Sequence, residues 1–426
     1  MAKGHQDGIT ILLGLEGYLV GKVREGDEGV VVEVKSAMGK VNCPHCSSAK
    51  IYGHGWCKPR KALHSWSNGK RVYLELHRQR WRCRECGRSF NDGAQLLRSY
   101  SRITRQAETE ALWQLKDRSF SQVRRELGVG YGTLRRLLER EIDEEALGFI
   151  GGEEAIFLGI DEHSFRHHEL VHTVTEVKKR RVLGILKDDR IATLKEFLNK
   201  IPKDKVKEVC IDMKDSLRKA VEALFPEAKV VVDHFHVIAE SNRKMDEARR
   251  IEQDVQRRKK VKIPKKIFLV ARDKLSVDER AKVDGLLDQY PTLKGFYWAK
   301  EKMRELYQQN SLGEAAKLLD NIIFNLKSSD DGELIRWANS LKYWRGPILN
   351  YFANRTTNGF TEGCNTKIKM LKRISYGLRN VEVYWRKMLL GFIPSRSYFH
   401  NIWQRAPHLL TQADISYIMR YRREGR

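Results

Sequence analysis

Proline is scarce, nine in a chain of 426 residues, which excludes Pro-rich linkers and recognition tracts. No apolar run approaches the ~18 residues of a bilayer-spanning helix, so no membrane segment is expected. The opening residues MAKGHQDGIT lack an apolar export core, and no signal peptide is expected. Acidic side chains are in deficit: 55 Asp and Glu face 80 Lys and Arg, a formal net charge of +25. That excess predicts a polyanionic partner. Cysteine is sparse and odd in number, seven, which argues against a disulfide framework. It predicts a reducing, cytoplasmic setting with thiolates used as metal ligands. Internal repeats and low-complexity tracts are also missing. With 41% apolar and 9% aromatic residues the chain can build cores, and its length implies about two to four domains.

What is present changes character along the chain. Residues 8–36 alternate apolar and polar positions between glycines, which predicts a small antiparallel β unit. Two C-x-x-C pairs follow, Cys43 with Cys46 and Cys83 with Cys86, and Gly87 suits the tight turn behind the second. Each pair presents two thiolates, and two pairs complete a tetrahedron around a structural Zn²⁺. The 36 residues between Cys46 and Cys83 exceed a minimal zinc ribbon. They include VYLELHRQRWRC (Val72–Cys83), read as one alternating strand leading into the second knuckle. His45, His54 and Cys57 are the alternative ligands. Basic residues around the knuckles, Arg60, Lys61, Arg82 and Arg84 among them, suggest a face turned to phosphates.

Residues 119–140, SFSQVRRELGVGYGTLRRLLER, read as two short helices broken at Gly128. Ser121 is the expected cap of the first and Thr133 of the second. Leu134, Leu137 and Leu138 would face inward, with Arg135, Arg136 and Arg140 outward. A short helix, a Gly turn and a basic second helix fit a DNA-binding helix-turn-helix. The alternative is a helical hairpin that only packs.

Between Ala155 and His236 strands and helices alternate. IFLGID ends on Asp161, HELVHTVTEV and RRVLGILKD form a meander, and a helix covers Ile191 to Ile201. VKEVCID ends on Asp212, SLRKAVEALF is helical, and AKVVVD ends on Asp233 with His236 close behind. Three strands, helix, strand, helix, strand is the order of an RNase H-like mixed sheet, in which the first and fourth strands are neighbours. Asp161 and Asp212 would then meet. Paired carboxylates bind Mg²⁺ or Mn²⁺, and paired ions activate a nucleophile and stabilise a leaving oxygen on phosphate. An Asp at a strand end also serves as an ordinary turn or cap residue. Asp233 competes with Asp212 as second ligand.

The chain resembles the DDE transposases of bacterial insertion sequences, specifically the ISL3 family. The resemblance rests on the CPHC and CRECG knuckles, the helix-turn-helix, GIDEHSF, the stretch Val209–Val237 and NRTTNGFTEGCNTKIKMLKRISYGLRN (Asn354–Asn380), and it runs from about residue 10 to about residue 392. It implies that Glu362, in Glu362-Gly363-Cys364-Asn365, is the third catalytic acid. It also makes Asp233 and His236 an Asp-x-x-His element supporting Asp212. Read without it, Glu362 is as readily a surface partner of Lys367 or Lys369, and Glu382 is its nearest rival. Asn365, one helical turn on, is placed to position DNA or water.

The expected architecture is an α/β catalytic core with an all-α insertion, preceded by zinc-ribbon and helix-turn-helix domains. Its expected divisions are 1–95, β unit and ribbon; 96–150, helix-turn-helix; 151–236, first part of the core; 237–350, helical insertion; 351–395, second part of the core; and 396–426, a basic tail. Lys367, Lys369, Lys372 and Arg373 on the helix after Glu362 are expected to contact DNA, and RRKKVKIPKK (Arg257–Lys266) is either a solvated loop or a DNA-contacting one. In the insertion, Trp298, Trp337 and Trp344 are either core residues or platforms for an unstacked base. The expected activity is metal-dependent cleavage and strand transfer at terminal inverted repeats. Its partners are double-stranded DNA, as transposon ends and target, and a second copy of the chain on DNA, near the nucleoid. The alternatives are a zinc-containing, non-catalytic repressor and an RNase H-like structure-specific nuclease.

Overall fold

A computed structural model describes residues 3–15, 17–36, 42–91, 96–98, 101–143, 147, 155–166, 169–256 and 262–393. The chain forms two compact units, residues 1–146 with 370–426, and residues 147–369.

The first unit opens with α1 (Lys3–Leu12), then β1 (Tyr18–Gly26) and β2 (Gly29–Ser36). Residues 8–12 are therefore helical, not the strand expected. A short apolar run such as ITILL carries no period that separates the two, and Gly14, at φ 61°, lets the helix end there. Next come β3 (Ile51–Trp56), β4 (Arg60–Ser67), β5 (Lys70–His77), β6 (Gln79–Cys83) and β7 (Ser89–Asn91). They form two sheets, ordered β1-β2-β5-β4 and β3-β6-β7. The long spacer between the cysteine pairs is thereby explained. Its β4–β5 hairpin leaves the cysteine-bearing sheet and joins the other one. Asn68 and Gly69 turn that hairpin with positive φ at both positions, the demand of its tight turn. VYLELHRQRWRC is two strands broken at Arg78, not one. Its buried alternate residues Val72, Leu74 and Leu76 belong to the core of the first sheet with Val20, Val32 and Val34.

Three helices follow, α2 (Arg105–Leu115), α3 (Phe120–Leu127) and α4 (Tyr131–Glu141). Buried His64 ties them to the sheet, with one ring nitrogen 3.0 Å from Thr104 Oγ1 and the other 2.8 Å from the Leu13 carbonyl. Ser119, not Ser121, caps α3 by accepting from Gln122 N, because Phe120 is already in the buried first turn. Gly128 ends α3 in the left-handed conformation as expected. Gly130, not Thr133, occupies the cap position of α4. Leu134, Leu137 and Leu138 are buried.

The second unit begins with β8 (Ile156–Arg166), β9 (Glu169–Glu176), β10 (Arg181–Ile185), α5 (Ile191–Leu198), β11 (Val206–Ile211), α6 (Asp215–Leu224) and β12 (Lys229–Val232). The sheet order is β10-β9-β8-β11-β12, antiparallel on the β9 side of β8 and parallel on the β11 side. The first and fourth strands are neighbours, as the sequence order requires. One detail differs: β8 does not end on Asp161 but continues to Arg166 along β9, while its register with β11 stops at Gly159.

The insertion is helical, α7 (His234–Val255), α8 (Lys265–Leu269), α9 (Val277–Gln289), α10 (Thr292–Leu306), α11 (Leu312–Lys327) and α12 (Gly332–Asn354). Capping boxes at Ser276/Glu279 and Ser311/Glu314 start α9 and α11. Trp337 and Trp344 are core residues, and Trp337 stacks on Phe296 with centroids 6.5 Å apart. Trp298 packs against that core partly buried. The return leg α12 runs past the expected boundary at 350 and is fastened to the sheet by its own amides. Asn350 Nδ2 donates to the Val230 carbonyl at 2.8 Å, and Asn354 Nδ2 donates to buried Glu208. The next helix is α13 (Gly359–Ile374).

The last described helix, α14 (Val381–Phe392), belongs to the first unit. Its buried Lys387 Nζ donates to the Leu115 and Lys116 carbonyls at the end of α2, and Arg386 donates to the Ile142 carbonyl. The stretch 351–395, expected as the second part of the core with the Glu helix, also holds this helix, which packs with the helix-turn-helix. Residues 257–261 of the basic run and the tail 396–426 lie outside the described residues. No described helix is long and apolar enough to cross a membrane.

Candidate active site

Three backbone features bring acids together in the second unit. Asp161 stands on β8 just beyond the end of its pairing with β11. Asp212 follows the last residue of β11, and Asp233 follows the last residue of β12 at the cap position of α7. His236, in the first turn of α7, reaches back between them, its Nδ1 3.1 Å from Asp212 Oδ1 and 3.5 Å from Asp233 Oδ2. Donor atoms of Asp161, Asp212 and His236 lie within 4.8 Å of one another, and so do those of Asp233, His236 and Glu362. The two groups meet at His236. All three acids read from the sequence, with Asp233 and His236, are therefore in one place.

The electrostatics separate their roles. Burial, reinforced by Asp161 and Asp233 against the pull of His236, pushes Asp212 up to about 7. Burial raises Asp161 and Glu362 as well, and Asp233 adds to both shifts. Burial opposes the charge of Asp233 too, but the imidazoles of His234 and His236 outweigh it and hold that carboxyl at about 2. The Asp233 side facing His236 raises the imidazole to about 9. Asp212 Oδ1 and both Asp233 oxygens are buried without an aligned hydrogen-bond donor. Crowded carboxylates with open oxygens fit a divalent cation, since hard oxygen donors are what Mg²⁺ and Mn²⁺ take.

Glu362 arrives on α13, and the docking of that helix is built from buried polar side chains. Asn365 Nδ2 donates to Asp161 Oδ2 at 2.8 Å, and Thr173 Oγ1 donates to Asn365 Oδ1 at 2.7 Å. His163 Nδ1 is 3.1 Å from the same Thr173 hydroxyl. Thr175 and Thr361 share a hydrogen bond at 2.7 Å, and Asn358 Nδ2 donates to the Ile160 carbonyl at 3.0 Å. Asn365 thus orients the Asp161 carboxylate directly. Sequence reading missed Thr173, Thr175, Thr361 and Asn358. The available signal was a strand, ELVHTVTE, whose polar residues are too many for a buried position unless something polar covers them. Glu382, the rival acid, pairs with Arg386 on α14.

At the zinc ribbon, Cys43 and Cys86 sulfurs are 3.5 Å apart, Cys46 and Cys83 sulfurs 3.6 Å, and all four lie within 4.8 Å of one another. Tetrahedral Zn–S bonds of about 2.3 Å give edges of about 3.8 Å, so the four thiolates fit the ion. Gly87 and Ser47 follow the two pairs with φ of 67° and 59°, the turn each knuckle needs. Cys57 Sγ instead donates to Asn91 Oδ1.

On α4, Arg135 and Arg136 are exposed, Arg135 in an i,i+4 pair with Glu139. Arg140 is exposed too, on the outward side expected. It is drawn into ion pairs with buried Glu108 at 2.9 Å and Glu141 at 2.6 Å. On α13, Lys369 and Arg373 are exposed and Lys367 and Lys372 half-buried.

Residues 158–388, more than half of the chain, match the ISL3 family model described as transposase. Residues 40–86 match a zinc-finger model of the transposases IS204/IS1001/IS1096/IS1165, and residues 94–142 a helix-turn-helix model of transposase family ISL3. The chain is 25% identical over 332 residues to the transposase for insertion sequence element IS1001 of Bordetella parapertussis, covering 76% of this chain and 82% of that protein. It is 24% identical over 253 residues to the transposase for insertion sequence element IS1557 of Mycobacterium tuberculosis, 52% of this chain and 57% of that one.

Proposed function

The chain belongs to the ISL3 family of insertion-sequence transposases, and we propose that Asp161, Asp212 and Glu362 are its three catalytic carboxylates. The observation that carries this assignment is their convergence from β8, β11 and α13 around His236. Asp212 is preferred to Asp233 as second ligand because burial outweighs the one imidazole beside it and leaves its carboxyl raised, whereas two imidazoles outweigh burial at Asp233. Asp161, Asp212 and Glu362 would hold Mg²⁺ or Mn²⁺. When bound, such ions lower the pKa of water and neutralise charge on phosphate oxygens. Asn365 holds Asp161 Oδ2 and the Glu162 backbone N–H donates to Oδ1 at 2.7 Å, so the carboxylate is oriented through both oxygens. His236 holds a positive charge beside Asp212 and fixes that side chain between β11 and α7.

In this reading the ribbon and helix-turn-helix, with Arg135 and Arg136, bind the terminal inverted repeats, and Lys367, Lys369, Lys372 and Arg373 steady the DNA on α13. The catalytic unit cuts the element's end and joins the freed 3′-hydroxyl to target DNA, in the cytoplasm at the chromosome. Each chain holds one set of acids, so two ends call for at least two chains. The test is incubation with labelled end-containing DNA and Mg²⁺ or Mn²⁺. Asp161→Ala, Asp212→Ala and Glu362→Ala should each abolish nicking and strand transfer while end binding stays near wild type, because phosphate contacts are untouched. Cleavage by Asp212→Ala but not by Asp233→Ala would overturn the choice of second ligand.

A further inference from the structure

The first unit contains a second polar cluster that the acids' chemistry does not use. A cavity of about 440 Å³ is lined by Arg98, Arg102, Glu108, Thr133, Arg136 and Arg140. Arg98 and Arg140 each bridge Glu108 and Glu141, at 3.0 and 2.6 Å from Arg98 and 2.9 and 2.6 Å from Arg140. These four side chains form a closed, neutral ring, its two carboxylates 5% and 8% exposed.

Among the described residues, three more guanidiniums have no carboxylate partner. Arg102 and Arg136 stand exposed on the cavity wall, and Arg136 reaches the Thr133 hydroxyl at 3.4 Å. Arg105, at the start of α2, has a buried Nε without a hydrogen-bond partner. Burial first, and then the charge of Arg98, lowers its guanidinium from the ordinary value. Four of these guanidiniums line the space, Arg98, Arg102, Arg136 and Arg140, and against the two ring carboxylates they leave two positive charges in excess around a partly enclosed cavity. Like charges held this way repel unless an anion joins them.

We infer that this cavity seats one backbone phosphate of duplex DNA, gripped by Arg102 and Arg136, while the Arg98–Glu108–Arg140–Glu141 ring holds its wall in shape. Planar guanidiniums match phosphate oxygens in paired hydrogen bonds. The Thr133 hydroxyl lies on the same wall as a further donor. A DNA strand fits better than a free ion because the two gripping arginines are solvent-exposed and Arg136 neighbours exposed Arg135 on α4. A strand following that helix passes the opening. The assignment divides labour on α4. Arg136 fixes register through the backbone, Arg140 is a strut, and base reading falls to other exposed residues. It rests on the reading of α3 and α4 as DNA-binding.

The experiment uses the full chain. Fluorescence anisotropy with labelled end duplex and with random duplex is followed across a salt series, beside thermal melting. Arg102→Ala and Arg136→Ala should each weaken both duplexes by the same factor. Each should also flatten the slope of log affinity against log salt by about 0.9, the value for one lost phosphate contact. Melting should stay unchanged for both, whereas Arg140→Ala should melt earlier because Glu108 and Glu141 lose a partner. An unchanged slope in both exposed variants overturns the seat, and so does a loss confined to end DNA. Stabilisation of wild type but not Arg102→Ala by inorganic phosphate, with unchanged DNA slopes, also overturns it in favour of a free-anion site. Wild-type protein that binds no duplex at all would refute the DNA-binding reading itself, a different result.

Discussion

Gly159 lies under the first turn of α13, and substituting it tests whether that docking sets the chemistry. A Cβ there would sit 2.5 Å from Thr361 Oγ1 and 2.6 Å from both Asn358 Oδ1 and Val177 Cγ1. Ordinary contact begins at 3.4 Å, so something must retreat by about 1 Å. Neither polar neighbour can turn aside freely. Thr361 is bonded to Thr175 at 2.7 Å and Asn358 to the Ile160 carbonyl at 3.0 Å, all buried. Orphaning one of these groups costs about 1–3 kcal/mol. The helix itself must then back away, carrying Glu362 and Asn365 and stretching the 2.8 Å bond from Asn365 to Asp161. Overpacking of this kind costs about 1–3 kcal/mol of stability, and a misplacement of ~1 Å costs about 100-fold in rate. Gly159→Ala should therefore bind end DNA normally, melt a few degrees lower, and nick about 100-fold more slowly in single turnover. Gly184→Ala is the control. Its Cβ would crowd the Phe197 ring at 2.4 Å, straining α5, which bears none of the candidate catalytic acids. Its stability should fall similarly while nicking per folded molecule is retained. Wild-type nicking by Gly159→Ala, or equal loss in both variants, would refute the claim that α13 docking positions the third acid.

Removal of zinc by a chelator, or Cys83→Ser, should unfold the ribbon and abolish end binding while the separately folded catalytic unit keeps its melting transition, because a structural site supplies folding energy directly; metal analysis and calorimetry check this. Asp212 is held at about 7, above its unfolded value, so it contributes stability at acid pH that is lost as pH rises through about 7. The metal-free protein should thus lose melting temperature relative to Asp212→Asn across that window. Mg²⁺ should restore more at pH 8 than at pH 6, and an upward trend without metal would contradict the assigned shift. Trp337→Ala should cost about 3–5 kcal/mol by opening a core cavity; a folded variant of normal stability that stalls after DNA binding would return this residue to a stacking role.

Asp161 and Asp212 could be found in the sequence because each follows a run of buried-strand residues, and strand–helix alternation restricts how such strands can be ordered. Asp233 was visible for the same reason, and that is why sequence alone left two candidates for one ligand. What separates them is a balance of burial and charge, two imidazoles against Asp233 and one beside Asp212, and the Asp-x-x-His spacing shows only the His236–Asp233 part of it. Glu362 had no local signature at all. Its arrival depends on α12 being fastened along β12 by Asn350 and to β11 through Asn354, with Thr356 donating to the same Glu208. Those contacts join residues more than a hundred positions apart, so only the family motif pointed to Glu362. At Arg140 the helical period gave the outward position, and what it did not give is the pairing with buried Glu108 on α2 and neighbouring Glu141.

The polar ladder on β9 follows from the same geometry. His172, Thr173, Thr175 and Glu176 are all buried, so β9 has no wet face. An antiparallel strand of a simple sheet would expose every second residue. Here α13 covers that face, and its own residues Thr361 and Asn365 supply the partners the hydroxyls need. The hydrogen bonds of the site are thus concentrated on locating the helix and on Asp161, whose Oδ2 accepts from Asn365 and Oδ1 from the Glu162 N–H. Asp212 Oδ1 and the Asp233 oxygens are left with no aligned donor. A purely structural core would satisfy its buried carboxylates first, since each open one is costly. Fixing the scaffold while leaving the acids open is the arrangement expected where a cation, and not a protein donor, completes the site.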